Sequence, residues 1–175
     1  LSVQENLVTR QSGSSIFAQN AVGVVKVLTD GGAGSGSILS SGGLILTNWH
    51  VIEDYAVVAI RFLPGSGLPE SALLADVIRI DEIADLALLQ LKTIPANLVT
   101  IRGADLLPPV GSDVHAIGHP HGEDWSYTRG YVSQVRQHYD WSYEDGVQHT
   151  AEIIQTQTPI SAGNSGGPLF DENGA

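Results

Sequence analysis

The chain predicts an all-β fold of two antiparallel β-barrels, on three observations. Short Val, Ile and Leu runs recur along it and are separated by Gly, Pro, Ser and Asp, which is the pattern of strands and turns rather than of helices. Six such runs precede Pro95, enough to close one antiparallel barrel. A segment rich in turn residues and prolines then divides them from a further set of runs that supplies the second barrel.

Taken in order, residues 1–20 form a polar N-terminal arm with scattered Leu1, Leu7, Val8, Ile16 and Phe17. The pair Ser14-Ser15 is placed to cap a short helix there, and the plain reading of the arm is a loosely attached segment. The first barrel occupies residues 21–96, with strands expected at 21–28, 35–39, 44–47, 56–62, 73–80 and 86–91. Residues 97–109 read as the connection between barrels. The second barrel, residues 110–175, draws on runs at 113–117, 127–135, 152–156 and 168–170. A chain of 175 residues with 42% hydrophobic content can build a core of this kind, as one domain or as two small barrels packed together.

Composition narrows the function. Eight basic against 19 acidic side chains give a net charge of −11, and no basic cluster occurs, so nucleic-acid binding is not expected. No apolar run approaches the ~18 residues needed to span a bilayer. Zero cysteine excludes disulfides and a cysteine nucleophile. The opening on Leu1, without a signal-peptide pattern, reads as a processed or trimmed chain. His115, His119 and His121 are close in sequence, but Pro120 interrupts them and no carboxylate stands at matching spacing, so neither a metal nor any other cofactor is expected. The run Gly31-Gly-Ala-Gly-Ser-Gly36 lacks the lysine and following helix of a phosphate loop, and reads as a hairpin turn.

The chemistry lies in three short blocks. Ser161-Ala-Gly-Asn-Ser-Gly-Gly-Pro168 sets Ser165 in a tight glycine turn, where a hydroxyl and adjacent amides can face a substrate carbonyl. A serine hydroxyl is a weak nucleophile at neutral pH and needs a base, and that base needs a partner to fix its tautomer and orientation. His50 in Thr47-Asn-Trp-His50-Val-Ile and Asp85 in Ala84-Asp85-Leu-Ala-Leu-Leu fit those two roles. Asp81 competes for the third position, and Asp85 is preferred because it directly precedes the apolar run; Asp81 reads as a solvated loop charge. Gly163 and Ser165 then supply the oxyanion-hole amides, each donor worth about 3–4 kcal/mol.

On these residues the chain resembles the chymotrypsin-like serine peptidases, and within them the HtrA/Deg type. Gly34-Ser-Gly-Ser-Ile-Leu and Gly43-Leu-Ile-Leu-Thr-Asn-Trp-His50-Val-Ile are similar to that family's strand, hairpin and histidine block. Asp81-Glu-Ile-Ala-Asp85-Leu-Ala-Leu-Leu-Gln-Leu resembles its aspartate block. Val114-His-Ala-Ile-Gly-His-Pro-His-Gly122 and Gly130-Tyr-Val-Ser resemble the opening of its second barrel, and the residues from Ile154 to Pro168 complete the set. Four blocks in the right order over most of the chain make the likeness specific.

The resemblance implies two six-stranded barrels, a serine endopeptidase acting on polypeptides through an acyl-enzyme, and a setting in protein quality control. It also implies a periplasmic or secreted location and an N-terminal arm that helps build a homotrimer. The chain departs from the pattern by stopping ten residues after Ser165, so the second barrel is expected to be incomplete, with truncation as the favoured account. Asn164 replaces the aspartate that captures a new N-terminus in chymotrypsin, which makes that activation route improbable and turns attention to ordering of the loops around Gly163. Trp49 stands where the family more often has a small or amide residue, and strand alternation is expected to turn it away from the imidazole. Residues 137–146, with Tyr139, Trp141 and Tyr143, suggest a hairpin with one aromatic face, either packing on the barrel or contacting the active site. A reading from another class stays open: a catalytically silent protein-binding or chaperone-like module on the same fold, to which unfolded segments add as strands.

Overall fold

The structure is a computed structural model that describes residues 10–143 and 146–175. Six strands close into an antiparallel barrel in the order β1-β2-β3-β6-β5-β4. They are β1 (Val24–Thr29), β2 (Gly32–Ile38), β3 (Leu44–Thr47), β4 (Val57–Arg61), β5 (Leu73–Asp81) and β6 (Leu86–Leu91). Alternation drives closure: Ala87, Leu89 and Leu91 of β6 are buried, as are Ile45 of β3 and Val58 and Ile60 of β4, while the residues between them face outward. β1 pairs β4 through Val27 and Ile60, which leaves no free edge in this unit. β3 and β6 lie where their apolar runs place them.

β2 departs from expectation. Residues 32–36 are not a turn: only the step at Asp30 and Gly31 reverses the chain, and Gly32 to Ser37 pair with β1 from Thr29 back to Val24. The small residues are there because other parts of the fold come close to this strand. A Cβ on Gly34 would meet the Val51 side chain at 2.6 Å.

The second unit is a four-stranded half-barrel in the order β10-β7-β8-β9, so the second barrel is incomplete as expected. Its strands are β7 (Asp113–Gly118), β8 (Ser126–Ser142), β9 (Gln148–Thr156) and β10 (Leu169–Phe170). β8 runs seven residues beyond its expected end and β9 starts four residues early, because residues 136–142 pair with 148–153 in a long hairpin. The aromatic alternation at Tyr139 and Trp141, which suggested a hairpin over 137–146, lies on this extension, though the apolar runs used to bound β8 and β9 do not reach it. The hairpin is broken by register shifts between Val132 and Gln134 and between Arg136 and Tyr139.

Two short α-helices and two single 3-10 turns complete the described fold. α1 (Gly13–Asn20) is capped by Ser12, whose side chain accepts from the Ser15 amide at 3.1 Å; Ser14 and Ser15 are its first turn, not its cap. The described part of the arm is not loose, since Ile16 is fully buried with Ala21, Val24, Ile117, Trp125 and Phe170 in a core that joins both units. Residues 1–9, with Leu1, Leu7 and Val8, lie outside the described residues. α2 (Trp49–Ile52) follows β3, so Trp49 sits on a helical turn rather than a strand, and its ring is buried in the first barrel's core. Among the described residues no helix is long and apolar enough to cross a membrane.

Burial of Ile16 couples the arm to both units. Ile16→Ala should lower unfolding stability by about 2–5 kcal/mol, read as a shifted urea midpoint; an unchanged midpoint would mean that the arm is not docked in solution.

Candidate active site

The site is assembled from the end of β3, the turn before β6 and the turn before β10. Asp85 sits in that first turn with φ 55° and is 2% exposed. Its backbone carbonyl accepts from the Trp49 amide at 3.2 Å and from Asn48 Nδ2 at 2.7 Å. Its carboxylate accepts from the His50 amide at Oδ1 (2.9 Å) and from His50 Nδ1 at Oδ2 (2.7 Å). Tyr143 Oη donates to the same Oδ2 at 3.2 Å. Burial by itself would push this carboxyl up, but the His50 ring and amide bonds, the imidazole charge and the Tyr143 hydroxyl together hold it below the usual carboxylate range. An ionised Asp85 keeps the His50 proton on Nδ1 and leaves the Nε2 lone pair for the cleft. Asp81, the competing carboxylate, is exposed and caps the Ala84 amide at 3.0 Å.

Ser165 lies in two consecutive turns, closed by Asn164 N to Ser161 O (3.0 Å) and Gly167 N to Asn164 O (2.9 Å). Two glycines here are obligatory. Gly163 has φ 100° and a Cβ on it would overlap the His119 carbonyl; Gly166 has φ 81° and a Cβ would strike the Ser35 carbonyl and Thr47 Oγ1. Gly166 N donates to Asn48 Oδ1 at 2.6 Å, so Asn48 ties the Ser165 turn and the Asp85 turn together. Ser165 and His50 line one cleft of about 490 Å³ with Gly163, Val51, Glu53 and Tyr55. No hydrogen bond joins Ser165 Oγ to His50 within 3.5 Å among the described residues, a looseness common in sites without substrate.

The Gly163 peptide is held from both sides. The Ala162 carbonyl accepts from the His121 amide at 3.0 Å, which turns the Gly163 N–H the opposite way across the trans peptide. The Gly163 carbonyl accepts from Ser35 Oγ at 2.8 Å, and Ser35 Oγ in turn lies 2.9 Å from His119 Nδ1. Because Ser35 spends its proton on Gly163, His119 must donate from Nδ1, leaving Nε2 bare; that atom is buried and without a partner among the described residues. Burial pushes the His119 pKa down to about 4, Lys26 adding to the effect and Asp124 opposing it. Neither the Gly163 nor the Ser165 amide has an acceptor among the described residues, so both remain available to an oxyanion.

Sequence reasoning singled out His50, Asp85, Ser165 and Gly163, and the fold brings all four to one place. It missed Asn48, Ser35 and the part of His119, which had been weighed only as a metal ligand. The three histidines of that run diverge: His115 bonds the Tyr127 hydroxyl at 2.7 Å, His119 faces Ser35, and His121 occupies a left-handed turn with φ 47°. Only Ser35, in the Gly-Ser-Gly run, carried a signal: a hydroxyl between residues too small to fill a barrel strand.

Residues 34–175 match the model of the trypsin-like peptidase domain. The chain is 34% identical over 141 residues to the magnetosome formation protease MamE of Paramagnetospirillum magneticum, covering 81% of this chain and 18% of that protein. It is 35% identical over 150 residues to protease Do-like 1, chloroplastic, of Arabidopsis thaliana, covering 82% and 31%. It is 40% identical over 143 residues to a Pseudomonas putida protein named "Probable periplasmic serine endoprotease DegP-like", covering 81% and 27%. The chain thus spans about a third or less of the length of these relatives. Among solved structures, Rv3671c from M. tuberculosis H37Rv, an inactive-form serine-to-alanine mutant, aligns with a TM-score of 0.75 at 22% identity over 99% of this chain and 79% of that one.

The depressed His119 pKa sets a sign for stability against pH. Between its ordinary value of 6.5 and its folded value of about 4, the unfolded chain binds a proton that the folded chain refuses. Stability should therefore fall as pH drops through that window, by on the order of 3 kcal/mol. His119→Asn, whose amide nitrogen can replace the Nδ1 donor without titrating, should flatten much of the slope in thermal unfolding at pH 4 to 7. Part of the slope remains because burial and then Arg129 lower His115 as well.

Proposed function

The chain belongs to the trypsin-like peptidase domain family, and from that premise we propose that it is a serine endopeptidase cleaving polypeptides through an acyl-enzyme. The observation that carries this reading is the 2.7 Å contact between His50 Nδ1 and a buried Asp85, in a cleft that Ser165 shares. His50 Nε2 takes the Ser165 proton as Oγ attacks the scissile carbonyl, and returns it to the leaving amine; Asp85 holds the imidazolium that forms between those events. The Gly163 and Ser165 amides receive the oxyanion. Water then repeats the sequence on the acyl-enzyme to release the second product. The name of the Pseudomonas putida relative supports a place in the periplasm or another secreted compartment. Protein quality control and trimeric assembly belong to the same proposal, as the HtrA-type resemblance implies.

A second reading keeps the fold without catalysis. It is a protein-binding or chaperone-like module on the same fold, to which an extended segment adds as a strand.

Labelling by a fluorophosphonate separates the two. Wild-type chain should react at Ser165, Ser165→Ala should not, and any peptide hydrolysis should fall by roughly 10⁴- to 10⁶-fold in that variant. A folded wild-type chain that stays unlabelled favours the binding module. Gly163→Ala should lower turnover about 10²- to 10³-fold by displacing one oxyanion amide, measured as kcat with the fold checked by circular dichroism.

A further inference from the structure

One side chain of the site comes from neither the first barrel nor the nucleophile turn. Tyr143 follows the end of β8, 58 residues from Asp85 in sequence, and reaches the buried carboxylate from the second sheet. Its ring lies over the His50 imidazole, centroids 4.9 Å apart and tilted by 51°.

This reach is held by several independent contacts. The Thr150 amide of β9 donates to the Ile83 carbonyl at 2.9 Å, and His149 Nδ1 donates to the Glu82 carbonyl at 2.7 Å, so the hairpin grips the turn that presents Asp85. His149 is buried, wedged among Trp49 at 6.0 Å, Trp141 at 5.2 Å and Tyr143 at 5.2 Å between ring centroids. Val147 packs against the first barrel's core. The aromatic alternation in residues 139–143 thus serves to dock a hairpin on the Asp85 turn.

We propose that Tyr143 is a positioning residue of the His50 and Asp85 couple, its hydroxyl fixing the carboxylate and its ring covering one face of the imidazole. This rests on the peptidase reading above for its catalytic consequence, though not for the contact itself. Without Tyr143, Oδ2 keeps a single donor among the described residues, and the two His50 bonds are what restrain rotation about the Cβ–Cγ bond of Asp85 there. A second donor on Oδ2 pins the plane of the carboxylate and, with it, the plane of the imidazole. Tyr143 is itself 43% exposed, so its ring adds little to core stability, whereas its hydroxyl points at a carboxylate that is 2% exposed. Among the described residues, Glu53, Asp54 and Tyr55 after α2 line the same cleft as His50, and His149 lies behind Tyr143.

The test compares wild-type chain with Tyr143→Phe and Tyr143→Ala. Loss of the hydroxyl alone should lower kcat about tenfold, the order expected for one bond to a charged group, with KM unchanged. The acid limb of the kcat/KM profile should move to higher pH, since a carboxylate that loses a donor holds the imidazolium proton more tightly. The low-field Nδ1 proton resonance of His50 should shift in Tyr143→Phe whether or not the chain cleaves peptides. Tyr143→Ala should cost a further loss of kcat, because the imidazole face is opened to water. A Tyr143→Phe chain with wild-type kcat, acid limb and Nδ1 resonance would overturn the proposal and leave Tyr143 a packing residue. A resonance that shifts in a chain whose Ser165 never takes up fluorophosphonate would sink the peptidase reading and keep the positioning contact.

Discussion

A carboxylate taken out of water is the constraint around which this site is arranged. Burying the Asp85 charge without partners would cost several kcal/mol or drive it to the neutral form. Three donors remove that penalty, and each is supplied by a different device: the start of a short helix for the His50 amide, an imidazole for Oδ2, and a phenol from the second sheet. The left-handed backbone at Asp85, with φ 55°, aims the side chain inward where an extended strand entry would not. Removing any of these parts leaves the charge less satisfied, so α2, the Asp85 turn and the β8–β9 hairpin depend on one another.

The two units meet at β2, and that junction explains its composition. The Ser35 amide donates to the Ser165 carbonyl at 2.8 Å while Ser35 Oγ donates to the Gly163 carbonyl, so one residue ties down both ends of the Gly163–Ser165 turn. Backbone this close to backbone leaves no room for large side chains, which is why a barrel strand is written in Gly, Ala and Ser. The polar atoms it buries are satisfied locally, by Thr47 Oγ1 on the Ser35 carbonyl at 2.7 Å and by His119 on Ser35 Oγ.

Legibility followed the physical source of each element. β3 and β6 can be bounded to the residue, because each is a compact, largely apolar run set off by polar and turn residues. The glycine run of β2 carries no such signal and reads as a turn, whereas the β8–β9 extension shows only as an aromatic alternation, because its residues pack on rings and pair along a hairpin instead of filling a barrel. The helix cap is Ser12 rather than Ser14 or Ser15, a difference of two to three residues that composition alone does not resolve. Trp49 was turned from the imidazole for the wrong reason: it sits on a helical turn, and its ring enters the barrel core.

The sequence by itself determined the all-β class, the strand-rich first barrel and the residue types that can carry acyl transfer, since periodicity and short turns encode those locally. What only the tertiary structure decided was their surroundings: Asn48 joining two turns, Ser35 and His119 holding Gly163, and Tyr143 reaching Asp85. Each of those contacts joins residues 37 to 128 positions apart, and each depends on where closed sheets place backbone atoms. Local pattern carries no record of such distances, so the candidate residues of the site can be read from the chain and the groups that hold them cannot.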